Sequence, residues 1–335
     1  MILVTGGTGL VGSHLLYLLT QQNDTVKAIY RSEKSLEAVK KVFSYYTEEA
    51  GTLFSKIEWV LADITNICSL ENAFESVTNV YHAAALVSFD PKEYRVMRQV
   101  NIDGTANVVN LCIDKKIQKL CFVSSIATLG EKTTSKEIDE DNEWSSEGNN
   151  SGYSITKHGA EMEVWRATQE GVDVVIVNPG VILGAGFWNT NTGKFFSQVD
   201  KGFRFYTEGV TGFIGVIDVV KIMLQLMNSN LKNERFVLVS ENKSFKKVFS
   251  LIAESLEKKK PTIRVSKIIT SLAWRADFII SKITGKKPLL TKENAISLHT
   301  KTYYNSKKLQ KQLGYTFQPI NEVIKETSKY YRTTL

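Results

Sequence analysis

Cysteine is scarce in this chain, and long apolar runs are absent. Three cysteines, Cys68, Cys112 and Cys121, occur among 335 residues, an odd number without the spacing of metal ligands. We therefore expect three small buried side chains in a reducing compartment, and neither a zinc site nor a disulfide. No apolar stretch is long enough to span a bilayer, and the apolar start of the chain predicts a strand rather than a targeting segment. These absences favour a cytoplasmic protein.

Acidic residues are scarce towards the end of the chain. Residues 241–335 contain 20 Lys and Arg against 7 Asp and Glu, whereas residues 1–240 contain 22 against 28. Such an excess can mark an anionic ligand, a membrane surface or nucleic acid. The basic residues are scattered and do not alternate with aromatic residues along one stripe, so a solvated surface is favoured and nucleic acid is not expected as a partner.

A glycine-rich segment follows the first apolar run. The run over residues 1–4 ends in Thr5-Gly6-Gly7-Thr8-Gly9-Leu10-Val11-Gly12, within which a helical pattern begins. Glycine allows a tight turn at Gly6, close approach of a pyrophosphate at Gly9 and close packing of helix on strand at Gly12. The segment therefore predicts a dinucleotide site, with a purely structural turn as the alternative.

Short apolar runs alternate with helical patterns as far as residue 178. Strands are predicted over residues 1–4, 25–30, 57–62, 79–83, 119–124 and 172–178. Helices are predicted between them, over residues 69–76, 92–115 and 153–170. The alternation predicts an α/β fold with a doubly wound parallel sheet of the Rossmann type, and 43% hydrophobic residues can fill its core.

The alternation weakens after Pro179. We therefore expect a dinucleotide-binding domain over residues 1–178, rejoined by a strand, helix and strand over residues 213–240. Residues 179–212 and 241–335 would form a smaller, interwoven substrate-binding lobe.

Tyr153 and Lys157 stand four residues apart, which places a phenol and an ammonium on one face of the predicted helix. A nearby cation favours the ionised form of a phenol, so the pKa of Tyr153 would fall and the group could exchange a proton near neutral pH. The pair is therefore a candidate general acid or base, and an exposed helix face is the alternative.

These segments together resemble the extended short-chain dehydrogenase/reductase family, also called the NAD-dependent epimerase/dehydratase family. The resemblance covers essentially the whole chain. The matching motifs are the segment at residues 5–12, Asp63-Ile64, His82-Ala83-Ala84, Asn101, Ser124-Ser125, Tyr153 with Lys157, and Asn178-Pro179-Gly180-Val181. Within the family, the chain is most similar to the dihydroflavonol reductase and 3β-hydroxysteroid dehydrogenase branches.

The resemblance implies catalytic roles for four residues. Tyr153 would exchange a proton with the substrate oxygen, and Lys157 would lower its pKa and bind the nicotinamide ribose. Ser125 would hydrogen-bond the reacting carbonyl, with Ser124 as the alternative. Asn101 would extend a proton relay or serve a structural role.

The resemblance also implies a set of cofactor contacts. A structural role is the alternative for His82, which ends a buried strand. The implied contacts are Thr5, Gly6, Gly7, Thr8, Gly9, Leu10, Val11, Gly12, Arg31, Asp63, Ile64, His82, Ala83, Ala84, Tyr153, Lys157, Asn178, Pro179 and Val181.

Arg31 ends the second strand, where NAD-binding proteins commonly carry an acid that binds the ribose. A guanidinium group there can pair bidentately with a 2′-phosphate. We therefore expect NADP(H), with NAD possible if Arg31 is only a loop cation and Glu33 binds the ribose.

Departures from the family patterns favour one reaction class. Ile126 and Ala127 stand where the sugar-nucleotide dehydratases carry an Asp-Glu pair, so elimination is disfavoured. Leu129 stands where epimerases commonly carry a tyrosine. We therefore expect NADPH-linked reduction of a ketone or aldehyde, or the reverse oxidation. A nucleotide-sugar epimerase that retains NAD(P) is one alternative, and a non-catalytic NADP-binding sensor is another, disfavoured because the catalytic set is complete.

Residues outside these motifs give weaker expectations. The acidic segment 131–150 is expected to be a solvated loop beside the site. Aromatic residues in the loops suit an apolar or ring-bearing substrate, although packing in the lobe core is the alternative. The residues expected near the substrate are Ser88, Phe89, Ile126, Phe187 and Tyr206.

Residues 268–283 form a basic amphipathic pattern, with an apolar stripe of Leu272, Ala276, Ile279 and Ile283. We expect this helix to pack its stripe on the core of the substrate lobe, with an anionic membrane surface as the alternative. The family resemblance implies a homodimer through the helices over residues 92–115 and 153–170.

Overall fold

The computed structural model describes residues 1–22, 25–130, 137–148, 150–285, 287–288 and 290–334. Twelve strands are found in this part of the chain. They are β1 (Ile2–Thr5), β2 (Val26–Tyr30), β3 (Ile57–Leu61), β4 (Asn79–His82), β5 (Lys119–Val123), β6 (Asp173–Pro179), β7 (Val181–Leu183), β8 (Phe205–Tyr206), β9 (Val210–Gly215), β10 (Glu234–Leu238), β11 (Glu241–Ser244) and β12 (Ile263–Arg264).

Helices connect the strands in the same part of the chain. They are α1 (Leu10–Gln22), α2 (Lys34–Ser44), α3 (Ala50–Ser55), α4 (Ile67–Glu71), α5 (Tyr94–Arg98), α6 (Gly104–Asp114), α7 (Gly152–Gln169), α8 (Gly193–Asp200), α9 (Val216–Asn228), α10 (Phe245–Ser255), α11 (Lys267–Thr284), α12 (Lys292–Ser297), α13 (Lys307–Leu313) and α14 (Ile320–Arg332). Short 3₁₀ turns cover Asn72–Phe74, Pro91–Glu93 and Ile126–Thr128, and a π-helical turn covers Gln99–Asp103.

Seven strands form one parallel sheet in the order β10-β6-β5-β4-β1-β2-β3. Because the strand order reverses beside β1, the carboxyl ends of β1 and β4 flank the crevice where such sheets bind ligands. The predicted α/β class and doubly wound sheet are therefore confirmed.

Both faces of this sheet are covered by helices. Along β1, Leu3 packs into the cluster that contains Val108 of α6 and Ala160 of α7, whereas Val4 packs into the cluster that contains Leu15 of α1. Successive side chains of a strand point to opposite faces, so a strand covered on both faces is apolar throughout. This explains the short, continuous apolar runs of the sequence.

A second, smaller group of strands and helices lies outside the large sheet. Strands β11, β9 and β7 form a second sheet, and a third core cluster contains Phe196 of α8, Phe249 of α10 and Ile324 of α14. The sequence placed the strand near residue 213 in the large sheet, but β9 pairs with β7 and β11. Helix α9 and strand β10 do reach the large sheet. The division into two lobes stays a prediction.

The C-terminal part of the chain also contacts the large sheet's core. Leu309 of α13 is buried in the same cluster as Val4 and Leu15. Asp218 of α9 accepts hydrogen bonds from the Tyr315 hydroxyl at 2.8 Å and the Gln318 amide at 2.9 Å. Residues 307–318 therefore pack against the core of the large sheet, whereas the sequence assigned them to the substrate lobe.

Three expectations about burial are wrong. Cys68 is exposed, whereas Cys112 and Cys121 are buried, because Cys68 lies on the short surface helix α4. The stripe of α11 faces away from the core. Within the acidic loop, Glu140 is buried, because its carboxylate accepts a hydrogen bond at 2.7 Å from the Val237 amide of β10, the edge strand of the large sheet. Residues 131–136 and 149 of that loop lie outside the described residues.

Candidate active site

Helix α7 begins one residue before Tyr153. Ser151 caps it, because its hydroxyl accepts a hydrogen bond from the Ser154 amide at 3.1 Å. At Gly152 a Cβ atom would lie 2.9 Å from a ring carbon of Tyr94, so glycine lets the first turn of α7 pack against α5. The cap and the glycine together fix where the Tyr153 side chain leaves the helix.

The half-buried Tyr153 side chain lies beside Ser125, which follows β5. Burial raises the pKa of this phenol above its ordinary value, and the hydrogen bond with Ser125 opposes the rise. The sequence predicted a lowered pKa caused by Lys157, but burial dominates. The phenol is therefore protonated at neutral pH, which is the form that donates a proton.

Lys157 lies one turn further along α7 and is buried. Its ammonium nitrogen donates a hydrogen bond to the Val123 carbonyl at 2.9 Å and lies 4.3 Å from the centre of the Phe122 ring. Burial lowers the pKa of Lys157 to about 7, against the opposing effect of Glu161. The group can therefore change its charge near neutral pH when its surroundings change.

The two adjacent serines after β5 have different surroundings. Ser124 is buried, and its hydroxyl donates a hydrogen bond at 2.5 Å to Glu161. Ser125 lies beside Tyr153 and accepts a hydrogen bond from the Ala127 amide at 3.1 Å. Of the two, Ser125 has the position that the resemblance implied for the hydroxyl that meets the carbonyl.

Glu161 is the centre of a buried polar network that sequence reasoning missed. Its carboxylate accepts hydrogen bonds from Thr128 at 2.8 Å and Asn178 at 3.0 Å, and it pairs with Arg235 of β10 at 3.1 Å. The network ties α7 to the ends of β5, β6 and β10. The available signal was the spacing, since Glu161 follows Lys157 by the same four residues that separate Lys157 from Tyr153.

Asn101 lies in the π-helical turn before α6, and its side chain holds two segments in place. The side-chain oxygen of Asn101 accepts a hydrogen bond from the Leu86 backbone amide at 2.7 Å. Its side-chain nitrogen donates to the Leu86 backbone carbonyl at 3.0 Å and to the Thr156 hydroxyl at 3.0 Å. These contacts are those of a residue that positions the loop after β4 against α7.

His82, at the carboxyl end of β4, is buried between two threonines. One ring nitrogen lies 2.6 Å from the Thr5 hydroxyl and the other 2.9 Å from the Thr105 hydroxyl. Burial, together with the charge of Lys157, lowers the pKa of His82 to about 3. The imidazole is therefore neutral and links β4 to β1 and α6.

The glycine segment lies between β1 and α1 with an open outer side. Gly6 has φ +70°, and a Cβ there would lie 2.5 Å from the Ala84 amide. A Cβ on Gly12 would lie 2.1 Å from the Gly6 carbonyl oxygen, whereas one on Gly9 would meet only that oxygen, at 3.4 Å. Glycine is thus needed for packing at Gly6 and Gly12. The space beside Gly9, at the N-terminus of α1, is open, and a pyrophosphate there stays a prediction.

The other predicted cofactor contacts lie along the same carboxyl edge of the sheet. Gly7, Thr8, Leu10 and Val11 belong to the glycine segment and the start of α1, Ala83 follows β4, and Asn178 and Pro179 end β6, with Val181 at the start of β7. Arg31 follows β2, and its guanidinium lies 3.7 Å from the Asp63 carboxylate beyond β3. Ile64 is buried beside Gly104. Their contact with a cofactor stays a prediction.

A cavity of about 260 Å³ opens beside Tyr153. Ser88 and Phe89 line it as expected of substrate contacts, and the Phe89 ring lies 5.8 Å from that of Tyr153. The structure does not bring the other three expected residues to this cavity. Ile126 is packed in a core cluster, Phe187 lies in the turn before α8, and Tyr206 lies under the Lys246 ammonium.

Several lining residues were not found from the sequence. Tyr94 and Met97 are one turn apart on α5, and their helical spacing just after Phe89 was a usable signal. Glu293 of α12 comes from a distant part of the chain, and nothing in the sequence indicates that it lies near Tyr153. The remaining lining residues are Asp90, Pro91, Ser151 and Gly152.

Comparison with known proteins identifies the family of this chain. Residues 4–211, more than half of the chain, match the profile of an NAD-binding family described as male sterility protein. The chain belongs to this group of the extended short-chain dehydrogenases/reductases, and it is an enzyme of the reductase, dehydrogenase or epimerase type.

Individual relatives include both reductases and epimerases. Tetraketide alpha-pyrone reductase 2 of Arabidopsis thaliana is 26% identical over 264 residues, which cover 75% of this chain and 81% of that protein. A UDP-glucose 4-epimerase of Vibrio cholerae is 27% identical over 308 residues, covering 85% of each. The structure of a Thermotoga maritima UDP-glucose 4-epimerase with UDP-glucose matches with a TM-score of 0.78 at 20% identity, covering 99% of each chain, which supports the fold alone.

Proposed function

We propose that the chain catalyses the NADP(H)-dependent reduction of a ketone or aldehyde, or the reverse oxidation, with Tyr153 as the group that exchanges the proton. The observation that carries this proposal is the position of the half-buried Tyr153 at the wall of a cavity, with Ser125 beside it. A carbonyl oxygen in that cavity would meet the Tyr153 hydroxyl, which has Ser125 beside it. Bound nicotinamide would supply or accept the hydride.

The protonation state of Tyr153 is the one that reduction requires. The Tyr153 phenol is protonated at neutral pH, so it can give a proton to a carbonyl oxygen that becomes a hydroxyl. Ser125, beside it, would donate a second hydrogen bond to the same oxygen as negative charge develops there. Lys157 would bind the ribose hydroxyls of the cofactor.

Arg31 supports NADP(H) over NAD. Its side chain is 68% exposed at the carboxyl end of β2, so the guanidinium group is accessible to a 2′-phosphate. The neighbouring Asp63 carboxylate, 3.7 Å away, holds the guanidinium at the same edge of the sheet as the glycine segment. Glu33 is also exposed after β2 and would take the ribose of NAD instead.

The cavity supports a compact, apolar carbonyl compound. Phe89, Pro91 and Met97 supply apolar surface, and the volume of about 260 Å³ is below the range of roughly 300–1,000 Å³ that is usual for sites of drug-sized ligands. A nucleotide sugar is larger. Nucleotide-sugar epimerisation is nevertheless a second candidate, because the Vibrio cholerae relative matches 85% of the chain.

Turnover assays with the purified chain test the proposal. NADPH oxidation should depend on an added ketone or aldehyde, and Tyr153→Phe should lower kcat by about 10²–10⁴-fold while NADPH still binds, because the variant lacks only the donated proton. Tyr303→Phe, at an exposed tyrosine, is the matched control and should behave as the wild type.

The same assays separate the alternatives. Arg31→Glu should raise KM for NADPH far more than KM for NADH, and a wild-type preference for NADH would refute the cofactor assignment. Interconversion of UDP-glucose and UDP-galactose without net oxidation of NADPH would establish the epimerase instead. Full activity of Tyr153→Phe in every assay would refute the mechanism.

A further inference from the structure

Helix α11 contacts the rest of the protein through a polar face. Its inward residues are Thr270, Trp274, Asp277 and Ser281, at the spacing of a single helix face. The Thr270 hydroxyl lies 2.8 Å from a ring nitrogen of His299, and the Asp277 carboxylate accepts a hydrogen bond from the Leu290 amide at 2.8 Å. The helix is therefore held by hydrogen bonds rather than by its apolar stripe.

The opposite face of α11 is apolar and points to solvent. Ile268 is 74% exposed, Leu272 64% and Ile283 79%, and Ile279 and Ile280 between them are also exposed. A surface helix ordinarily buries its apolar stripe against the core. The reversed arrangement leaves a continuous apolar strip along the length of the helix, and such patches mark interaction sites.

Basic groups border this strip. Lys267, Arg275 and Lys282 are exposed on α11, and the only acidic residue of the helix, Asp277, faces inward. Next to the start of α11, the paired residues Phe205 of β8 and Ile263 of β12 expose two more large apolar side chains. The surface around α11 thus combines apolar area with positive charge.

We propose that α11 lies in the plane of a membrane surface that contains anionic lipids. Its apolar strip would enter the boundary between headgroups and acyl chains while the basic residues contact lipid phosphates and carboxylates. Among the described residues, no helix is long and apolar enough to cross a membrane.

Charge favours a lipid surface over a second copy of the chain. In a two-fold contact through this face, the basic residues of one copy would approach those of the other, and like charges repel. An anionic surface is complementary to them. The proposal does not depend on the activity proposed above, because it rests only on the outer face of α11.

Vesicle co-sedimentation of the full chain tests the proposal. The protein should bind vesicles of phosphatidylcholine mixed with phosphatidylserine at low salt, and bind those of phosphatidylcholine alone weakly. Leu272→Ser combined with Ile279→Ser should lower the affinity at least about tenfold through lost apolar insertion, and Lys282→Glu at least about fivefold. Leu61→Ser, whose side chain has the same 64% exposure at the end of β3, is the matched control and should bind as the wild type.

Three results would overturn the proposal. One is the absence of binding to anionic vesicles at low salt, and another is equal binding by the wild type and the double variant. The third is a difference in molar mass, measured by light scattering, between the wild type and the double variant when neither binds vesicles. That result would assign the strip to a second copy of the chain. Circular dichroism and Tm verify that the variants fold. We expect them to fold, because the substituted side chains are exposed.

Discussion

Burial shifts three ionisable groups at the site towards their neutral forms. It raises the pKa of Tyr153 and lowers those of Lys157, to about 7, and His82, to about 3. Each shift has the same cause, since an environment of low polarity disfavours charge. At neutral pH the phenol is therefore protonated, and the amine lies close to the pH at which it changes its charge.

His82 should make stability depend on pH. An unfolded histidine gains a proton as pH falls through about 6.5, whereas His82 in the fold stays neutral down to about 3. Its contribution is complete above pH 6.5 and is lost progressively as pH falls towards 3. Relative to His82→Gln, the wild type should lose about 1.4 kcal/mol of unfolding free energy per pH unit in this range.

Urea unfolding of the wild type and His82→Gln between pH 7 and pH 4, without cofactor, measures this difference. Above pH 6.5 the variant should be less stable by about 1–3 kcal/mol, because the Thr5 and Thr105 hydroxyl groups lose a buried partner. The difference should shrink and then reverse on acidification. A difference that is constant with pH would contradict the neutral, buried imidazole.

In the turn from β1 to α1, glycine serves two purposes: Gly12 allows close packing of α1, and Gly9 leaves space for the proposed cofactor. Gly12→Ala places a Cβ 2.1 Å from the Gly6 carbonyl oxygen, so α1 must move and stability should fall by about 1–3 kcal/mol. Gly9→Ala meets only one atom at 3.4 Å, so the fold should keep its Tm while NADPH affinity falls. Thermal unfolding and titration of NADPH fluorescence measure both effects.

The two variants are each other's control. A Gly9→Ala protein that binds NADPH as the wild type does would show that the cofactor does not approach this turn. A Gly12→Ala protein with an unchanged Tm would show that α1 can shift at no cost.

The bounds of the buried strands agree with those predicted from the sequence. The six predicted strands of the large sheet lie within a residue or two of β1 to β6, because a buried strand is a local apolar run with polar ends. The single helix predicted over residues 92–115 is instead two α-helices with 3₁₀ and π-helical turns. Nothing in the periodicity of this segment indicated the π-helical turn. Asn101 lies in that turn, and its side chain accepts a hydrogen bond from the Leu86 amide of the loop after β4.

At the scale of the whole molecule, we propose a homodimer through α5 and α7. Val96 on α5, and Ile155 and Met162 on α7, are exposed apolar residues on helices that pack together. Ile155 and Met162 are seven residues apart and share a face. Light scattering should give twice the chain mass for the wild type and a monomer for Met162→Asp, because a charge would be buried in the interface.

Leu61→Asp is the control for this assembly. Leu61 is more exposed than Met162, and it lies on β3, at the edge of the sheet far from β6, on which α7 packs. It should remain dimeric. A monomeric wild type would refute the dimer, and dissociation by Leu61→Asp would place the interface elsewhere.

The amino-acid sequence was enough to predict the doubly wound α/β fold, the glycine turn and the spacing of Tyr153 and Lys157 on one helix. These follow from strand and helix periods and from motifs of neighbouring residues, which are local properties. Three features became visible only in the folded chain: Ser125 rather than Ser124 lies beside Tyr153, burial outweighs charge in setting the pKa of Tyr153, and α11 faces its apolar strip outward. The burial of a side chain depends on neighbours that are distant in sequence, which no local pattern records.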